Sequence, residues 1–398
     1  MSNKTKSAMA FILFMGIVSL FADMTHEGAR SVYGNYLNLL GASATVIGFV
    51  TGLGELLGYS LRYVTGRIAD ETKNYWTMTI LGYTVNVIAI PCLALIPDTG
   101  WVWASILIVA ERVGKAIRQP AKNTLLSFAA SQNGLGKGFA IQECMDQIGA
   151  FLGPVLLYYV VLMKSGTGAL RTYSWGFAAL GMPAVCCIAC VLLAKRSFPH
   201  PETFEPVKQK KETMHLQKSF IWYMAAICLT AFGFIDFPLI TMHVANNGLL
   251  RTEELPLLYA GAMLVDAVAA LTFGWMFDMI GMKVLMISTL VAAPFAFYVF
   301  TATSREAVYM GVVLWGIGMG AQESTLKSAV SMIMPRGLRS TGFGIFETGF
   351  GIAWFAGSFL LGALYDWSLP LMISISVLVQ LAAIPVFWYT SRCMKQAV

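Results

Sequence analysis

Four ionisable residues crowd one short stretch near the start of this 398-residue chain. Asp23, Glu27, Arg30 and Gly34 follow the spacing i, i+4, i+7 and i+11, which puts them on one stripe of a helix. His26 lies one turn from both Asp23 and Arg30. An arginine can grip a carboxylate through two parallel contacts. Two carboxylates one turn apart resist ionising together, so one of them, or His26, can load and release a proton. The stripe reads as a substrate or proton site, with Arg30 for a carboxylate and Asp23 as the better titrating candidate. The competing reading is a Glu27–Arg30 pair that neutralises itself and touches no substrate.

Similar groups recur inside apolar stretches along the chain, where each costs at least about 2.5–3.5 kcal/mol on membrane-insertion scales. Gly48, Gly52, Glu55, Tyr59, Arg62 and Gly66 fall on one helix face, with Glu55 and Arg62 read either as structural partners or as part of a polar cavity. Glu111, Lys115, Arg118 and Lys122 form another stripe with Arg112 beside it. Arg118 and Lys122 are expected near the cytoplasm, solvated by lipid head groups, whereas Arg112 lies deeper. Asp236 and His243 stand at i and i+7 on one further stretch, and Asp266 has no evident partner in its own helix. These residues, Asp23, His26, Glu27, Arg30, Glu55, Arg62, Arg112, Asp236, His243 and Asp266, are the candidates for substrate and proton handling.

The elements that must position them are membrane helices. Of the residues, 57% are hydrophobic and 12% charged, and the mean hydropathy is +0.67. Soluble domains carry about a quarter charged residues, so a water-soluble enzyme and a disordered chain are both excluded. Apolar stretches fall at roughly 8–38, 44–66, 75–97, 101–119, 138–163, 170–194, 218–245, 256–277, 283–302, 306–328, 340–364 and 368–391, each near the ~20 residues needed to span a bilayer. The first is long enough to tilt or break. The polar interval 195–217 divides the chain into six-helix bundles over 1–194 and 218–398. With both termini and that linker cytoplasmic, 18 of the 27 Lys and Arg residues lie inside, 4 outside and 5 within spans, which fixes the orientation. The net charge of +6 then reports topology rather than nucleic-acid binding. The opening basic residues and apolar run mimic a signal peptide but lack a small-residue cleavage site, so an uncleaved first helix is expected. The seven cysteines show no metal or disulfide spacing.

The two halves repeat each other. Gly138-Phe-Ala-Ile-Gln-Glu143 recurs as Gly342-Phe-Gly-Ile-Phe-Glu347, and Ile148, Phe151 and Gly153 recur as Ile352, Phe355 and Gly357. Glu111 and Lys115 recur as Glu323 and Lys327, and Gly66 to Asp70 as Gly274 to Asp278. Three matches in the same order indicate two parallel halves. Gly274-x-x-x-Asp278-x-x-Gly281-x-Lys283 resembles the loop signature of the major facilitator superfamily. Gly66-x-x-x-Asp70 keeps its front half and loses the later glycine and basic pair, and Gly149-x-x-x-Gly153-Pro154 partly resembles the Gly-Pro motif of the superfamily's antiporters. The resemblance implies an all-α fold of twelve transmembrane helices in two pseudo-symmetric bundles. It also implies a cytoplasmic clamp in which each loop aspartate faces a helix start of the opposite half, Asp70 toward helix 11 and Asp278 toward helix 5. Gly66, Asp70, Glu143, Gly274, Asp278, Lys327 and Glu347 are the gate candidates, with the Glu111/Lys115/Glu143 set mirroring Glu323/Lys327/Glu347. An arginine at the depth of Arg112 is similar to a superfamily signature linked with proton transfer.

The expected function is secondary transport of a small polar solute, charged or zwitterionic, by rocking of the two halves and driven by protons, with sodium as the alternative ion. The chain is expected to act as a monomer in a bacterial-type inner membrane, with no cofactor, metal or nucleic-acid partner. No phosphate-binding GxxxxGK[ST] loop is present, which disfavours direct use of ATP. Efflux of amphipathic drugs, a transporter-like sensor and a lipid-handling protein are the alternatives, and no motif supports a membrane enzyme.

Overall fold

The computed structural model describes residues 3–133, 135–204, 218–333 and 339–396. Among them the regular structure is helical throughout. In chain order the helices are α1 (Asn3–Arg30), α2 (Tyr33–Leu39), α3 (Ala44–Thr72), α4 (Tyr75–Cys92), α5 (Trp101–Asn133), α6 (Leu135–Met163), α7 (Ala169–Ala179), α8 (Gly181–Ser197), α9 (Lys218–Gly233), α10 (Phe237–Asn246), α11 (Leu255–Ile280), α12 (Lys283–Ala292), α13 (Phe295–Phe300), α14 (Arg305–Ile333), α15 (Arg339–Trp367) and α16 (Leu369–Gln396). Ten helical segments among the described residues are long and apolar enough to cross a membrane. The other two expected spans are the long helices α5 and α14, whose polar side chains keep their hydropathy lower. Many large apolar side chains face outward, Leu271 at 78% and Trp275 at 64% exposure among them, as lipid as the surrounding solvent would allow. The protein is an all-α, multi-pass membrane protein.

Four of the twelve expected spans are built from two helices each, and the breaks have local causes. Between α1 and α2 the Ser31 hydroxyl donates back to the Gly28 carbonyl (2.6 Å), and Val32 leaves helical geometry. Between α9 and α10 the Asp236 carboxylate accepts from the Phe237 backbone N–H (2.9 Å), and Pro238, which has no N–H, is the second residue of the next helix. Pro183 follows the break between α7 and α8, and Pro294 stands in that between α12 and α13. The i, i+7, i+11 stripe of the first span is thereby corrected. Helix α1 ends at Arg30, so Gly34 lies in a different helix from Asp23 and Glu27. The expected shared face of Asp236 and His243 is corrected likewise, because Asp236 caps the helix that carries His243.

The chain folds as two compact units, one of Met1–Gly41 with Leu57–Lys208 and the other of Ala42–Leu56 with Gln209–Val398. In the first unit α1 packs on α6 and α8, and α4 packs on α5. In the second, α9 packs on α16 and α15, and α11 packs on α14. The repeat seen in the sequence recurs in the packing inside each unit. A methyl at Gly153 of α6 would collide with the Met24 carbonyl of α1, and one at Gly357 of α15 would collide with the Phe232 carbonyl of α9. Small residues let these backbones touch, as helix packing in a membrane favours.

The N-terminal part of the α3 range, Ala44–Leu56, belongs to the second unit. Asp366 of α15 caps its start, accepting from the backbone N–H groups of Ala44 (3.2 Å) and Thr45 (2.8 Å) and from the Thr45 hydroxyl (2.6 Å). Gly48 abuts the Ser358 carbonyl, and Phe49 packs edge-on to Phe355 at 5.6 Å.

Candidate functional site

In the first unit the sequence candidates of α1 converge on α5. His26 Nδ1 lies 3.0 Å from Glu111 Oε1 and its Nε2 lies 3.5 Å from Glu27 Oε1. Both are ion-pair distances without hydrogen-bond alignment. Arg30 Nη1 is 3.7 Å from Glu27 Oε2, and Arg112 Nε is 3.6 Å from Glu111 Oε2. Asn86 of α4 donates to the same Glu111 carboxylate and to the Glu111 carbonyl (3.2 Å). Glu111 and His26 are almost fully buried, while Glu27 keeps 12% of its side chain exposed. Burying charge is costly, and the opposite charges of these groups, with the Asn86 amide on Glu111, offset part of that cost.

One turn along, Asp23 Oδ1 stands 3.8 Å from Arg118 Nη2, and the Arg118 guanidinium lies 4.3 Å over the Tyr83 ring. A further turn along, Lys122 Nζ donates to Ser19 Oγ (3.1 Å) and stands 3.9 Å from Asp146 Oδ2. Ser19 also shares a hydrogen bond with the Tyr83 hydroxyl (3.1 Å), and Gln142 donates to Asp146 (2.8 Å). Arg118 and Lys122 are each 1% exposed. The expectation that lipid head groups solvate these two is therefore wrong. They face α1 rather than lipid, because Ser19 and Asp23 recur every fourth residue on α1 as Lys122 and Arg118 do on the antiparallel α5. The matched i, i+4 spacing on the two helices permits this register, and the packing of α5 on α1 selects it.

Glu111 is likewise corrected. It joins His26 in a buried site, whereas Glu143, which the mirrored gate set placed with it, is exposed. Its repeat partner Glu323 is exposed too, so the two positions share a sequence pattern and not an environment. Among the other gate candidates, Asp70 is exposed and accepts from the Tyr75 hydroxyl (3.2 Å), and Asp278 is exposed. Gly66 faces Pro120, Gly274 faces Ser324, and Glu347 is half-buried. The side chain of Lys327 and the linker residues 205–217 lie outside the described residues. In α3, Glu55 is buried in the part that packs with the second unit, and Arg62, in the first unit, covers the Tyr59 ring at 4.6 Å.

The second unit builds its centre from aromatic rings. Phe234, in the break between α9 and α10, lies 5.1 Å from Phe295 and 5.7 Å from both Trp315 and Trp354. Phe237 packs 4.9 Å from Trp315 and 4.5 Å from Tyr259. The carbonyls freed by the break are satisfied by side chains. Gly233 O accepts from Ser376 (2.6 Å) and Gln380 (3.0 Å), and Ile235 O accepts from Trp315 Nε1 (2.9 Å). His243 lies 3.0 Å from the Tyr365 hydroxyl and 4% exposed, and Asp266 is buried on α11. None of Ser19, Tyr83, Asn86, Trp315 or Gln380 stood out in the sequence, since uncharged polar and aromatic residues are common in any span.

Two bundles of broken and unbroken spans related by a repeat, with buried charge on the first span, belong to a known class. The model of the Major Facilitator Superfamily matches residues 7–252. The chain belongs to that superfamily. It is a transporter and not an enzyme. An uncharacterized protein of Mycobacterium tuberculosis is 37% identical to this superfamily member over 385 residues, covering 95% of this chain and 92% of that one. An uncharacterized MFS-type transporter of Methanocaldococcus jannaschii is 25% identical over 369 residues, covering 90% and 89%. The crystal structure of a POT family transporter in complex with 5-aminolevulinic acid superposes with a TM-score of 0.74 at 15% identity. It covers 95% of this chain and 94% of that one, a likeness of fold.

Proposed function

We propose that this transporter carries a small, charged or zwitterionic solute by alternating access and couples its movement to protons. The observation that carries the reading is the buried set of His26, Glu27, Arg30, Glu111 and Arg112, with pair distances of 3.0–3.7 Å in the first unit. Such groups are costly inside a membrane and mark substrate or ion pathways. Arg30 and Arg112 are the candidates for holding a carboxylate. Asp23 is the candidate proton carrier: among the described residues its cationic contact at ion-pair range, Arg118, stands at 3.8 Å, beyond hydrogen-bond length, so its charge is loosely held. His26 is the alternative carrier and sodium the alternative ion. Both termini and the 195–217 segment are read as cytoplasmic, in a bacterial-type inner membrane, and the protein as a monomer. Asp70 and Asp278 are read as gate residues, and Asp278→Asn should raise cytoplasmic accessibility while sparing affinity.

The test has two stages. A thermal-shift screen of the purified protein against amino acids, organic acids, sugars and lipophilic cations identifies the solute, because binding to the folded state raises its melting temperature. Uptake of the hit into proteoliposomes under an imposed pH gradient, and separately a sodium gradient, then identifies the ion. Asp23→Asn should lose uphill accumulation and keep exchange. Wild-type accumulation by that variant would exclude Asp23 and move attention to His26, Asp236 or Asp266. The aromatic centre of the second unit favours a second reading, efflux of amphipathic cations, and hits confined to lipophilic cations would select it.

A further inference from the structure

Tyr33 belongs to the buried site in the first unit, and the ion-pair network leaves its hydroxyl unused. It opens α2 immediately after the break that ends α1, and it is 1% exposed. Glu111, Arg112, Glu27 and Arg30 are among the charges near its hydroxyl. Yet that hydroxyl is buried with no hydrogen-bond partner among the described residues. Other tyrosines buried as deeply are satisfied. Tyr36 donates to the Leu93 carbonyl (2.9 Å), Tyr223 donates to the Leu326 carbonyl (2.6 Å), Tyr83 shares its bond with Ser19, and Tyr173 accepts from Asn35 (2.7 Å).

A buried donor without an acceptor destabilises a fold, and phenylalanine would fill the same space without that penalty. A hydroxyl retained there is explained by an acceptor that arrives from outside the chain. A second orphan lies against the same carboxylate. Asn86 commits its amide nitrogen to Glu111, which leaves Asn86 Oδ1 buried and unpartnered. A spare hydroxyl donor and a spare amide acceptor therefore stand at the same buried site. A zwitterion offers both partners at once, a carboxylate to accept from the hydroxyl and an ammonium to donate to the amide oxygen.

We propose that Tyr33 is a substrate-contacting residue whose O–H donates to the carboxylate of a small amino-acid-like zwitterion. Arg30 faces the same carboxylate, and Asn86 Oδ1 accepts from the solute's ammonium group. The inference rests on the charged-solute reading above and narrows it to one class.

The test measures melting temperature with and without the common L-amino acids, each beside its methyl ester, for wild type, Tyr33→Phe and Tyr36→Phe. At least one amino acid should stabilise the wild type, and its ester, which lacks the carboxylate, should not. Tyr33→Phe without ligand should melt at or above the wild-type temperature, yet need about tenfold more amino acid for the same shift. Tyr36→Phe should melt lower and keep its affinity, since its hydroxyl serves the Leu93 carbonyl. Wild-type affinity in Tyr33→Phe, or a melting loss as large as that of Tyr36→Phe, would overturn the proposal while the charged-solute reading stands. Binding only of organic acids would do the same. Binding only of lipophilic cations would remove both.

Discussion

The two units solve the same packing problem with the same backbone and opposite side chains. In one, Gly153 of α6 lets α1 come close; in the other, Gly357 of α15 does so for α9. The first and seventh expected spans are both broken, after Arg30 and after Gly233. Beside the first break the protein places His26, Glu27, Arg30 and Glu111. Around the second it places Phe234, Phe237, Trp315 and Trp354. The repeat has preserved the contacts that fix helix spacing and released the positions that define chemistry. Backbone contact tolerates no added atom, whereas a side chain filling a gap has many acceptable replacements.

The sharpest test of this difference compares repeat partners. Glu111→Leu removes the buried carboxylate that His26, Arg112 and Asn86 share and should cost about 3–5 kcal/mol, read as a large fall in melting temperature in detergent. Glu323→Leu, at the exposed partner position, should cost clearly less, about 1 kcal/mol or below. Equal losses would mean that the two units are not differentiated in this way.

The shared part of the comparison is tested by Gly153→Ala and Gly357→Ala. Each new methyl meets a carbonyl of the neighbouring helix, so each should cost about 3 kcal/mol, the upper end for overpacking. The two losses should be alike. Tolerance of alanine at one site alone would break the equivalence of the two contacts.

Trp315→Phe should preserve the aromatic packing of the second unit and strand the Ile235 carbonyl, at a cost of about 1–3 kcal/mol. Unchanged melting would show that the break between α9 and α10 is held by Gln380 and Ser376 alone. A smaller loss belongs to the Asp366 cap on α3. Asp366→Asn removes a charge-assisted cap and should cost about 1 kcal/mol, with Thr45→Ala giving a similar loss and the double variant adding little to either. Full additivity of the two in chemical or thermal unfolding would show that they do not act through one contact.

Membrane residence, the all-helical class, the repeat and the superfamily were legible in the sequence because they depend on local features. A span is set by the hydropathy of about twenty neighbouring residues, and the repeat and loop signature are short patterns read in order. The charge-bearing candidates were legible for the same reason, since a charge in an apolar run is anomalous wherever the helix points. Which charges meet was decided by the tertiary structure alone. Arg118 and Lys122 looked like head-group anchors by their place in the sequence, and only the antiparallel register of α5 on α1 turns them to Asp23 and Ser19. Likewise Glu111 and Glu323 carry one motif, and only packing buries the first while leaving the second exposed. The spare hydroxyl of Tyr33 was invisible in the sequence altogether, because whether a polar group is satisfied depends on what every neighbouring helix brings to it.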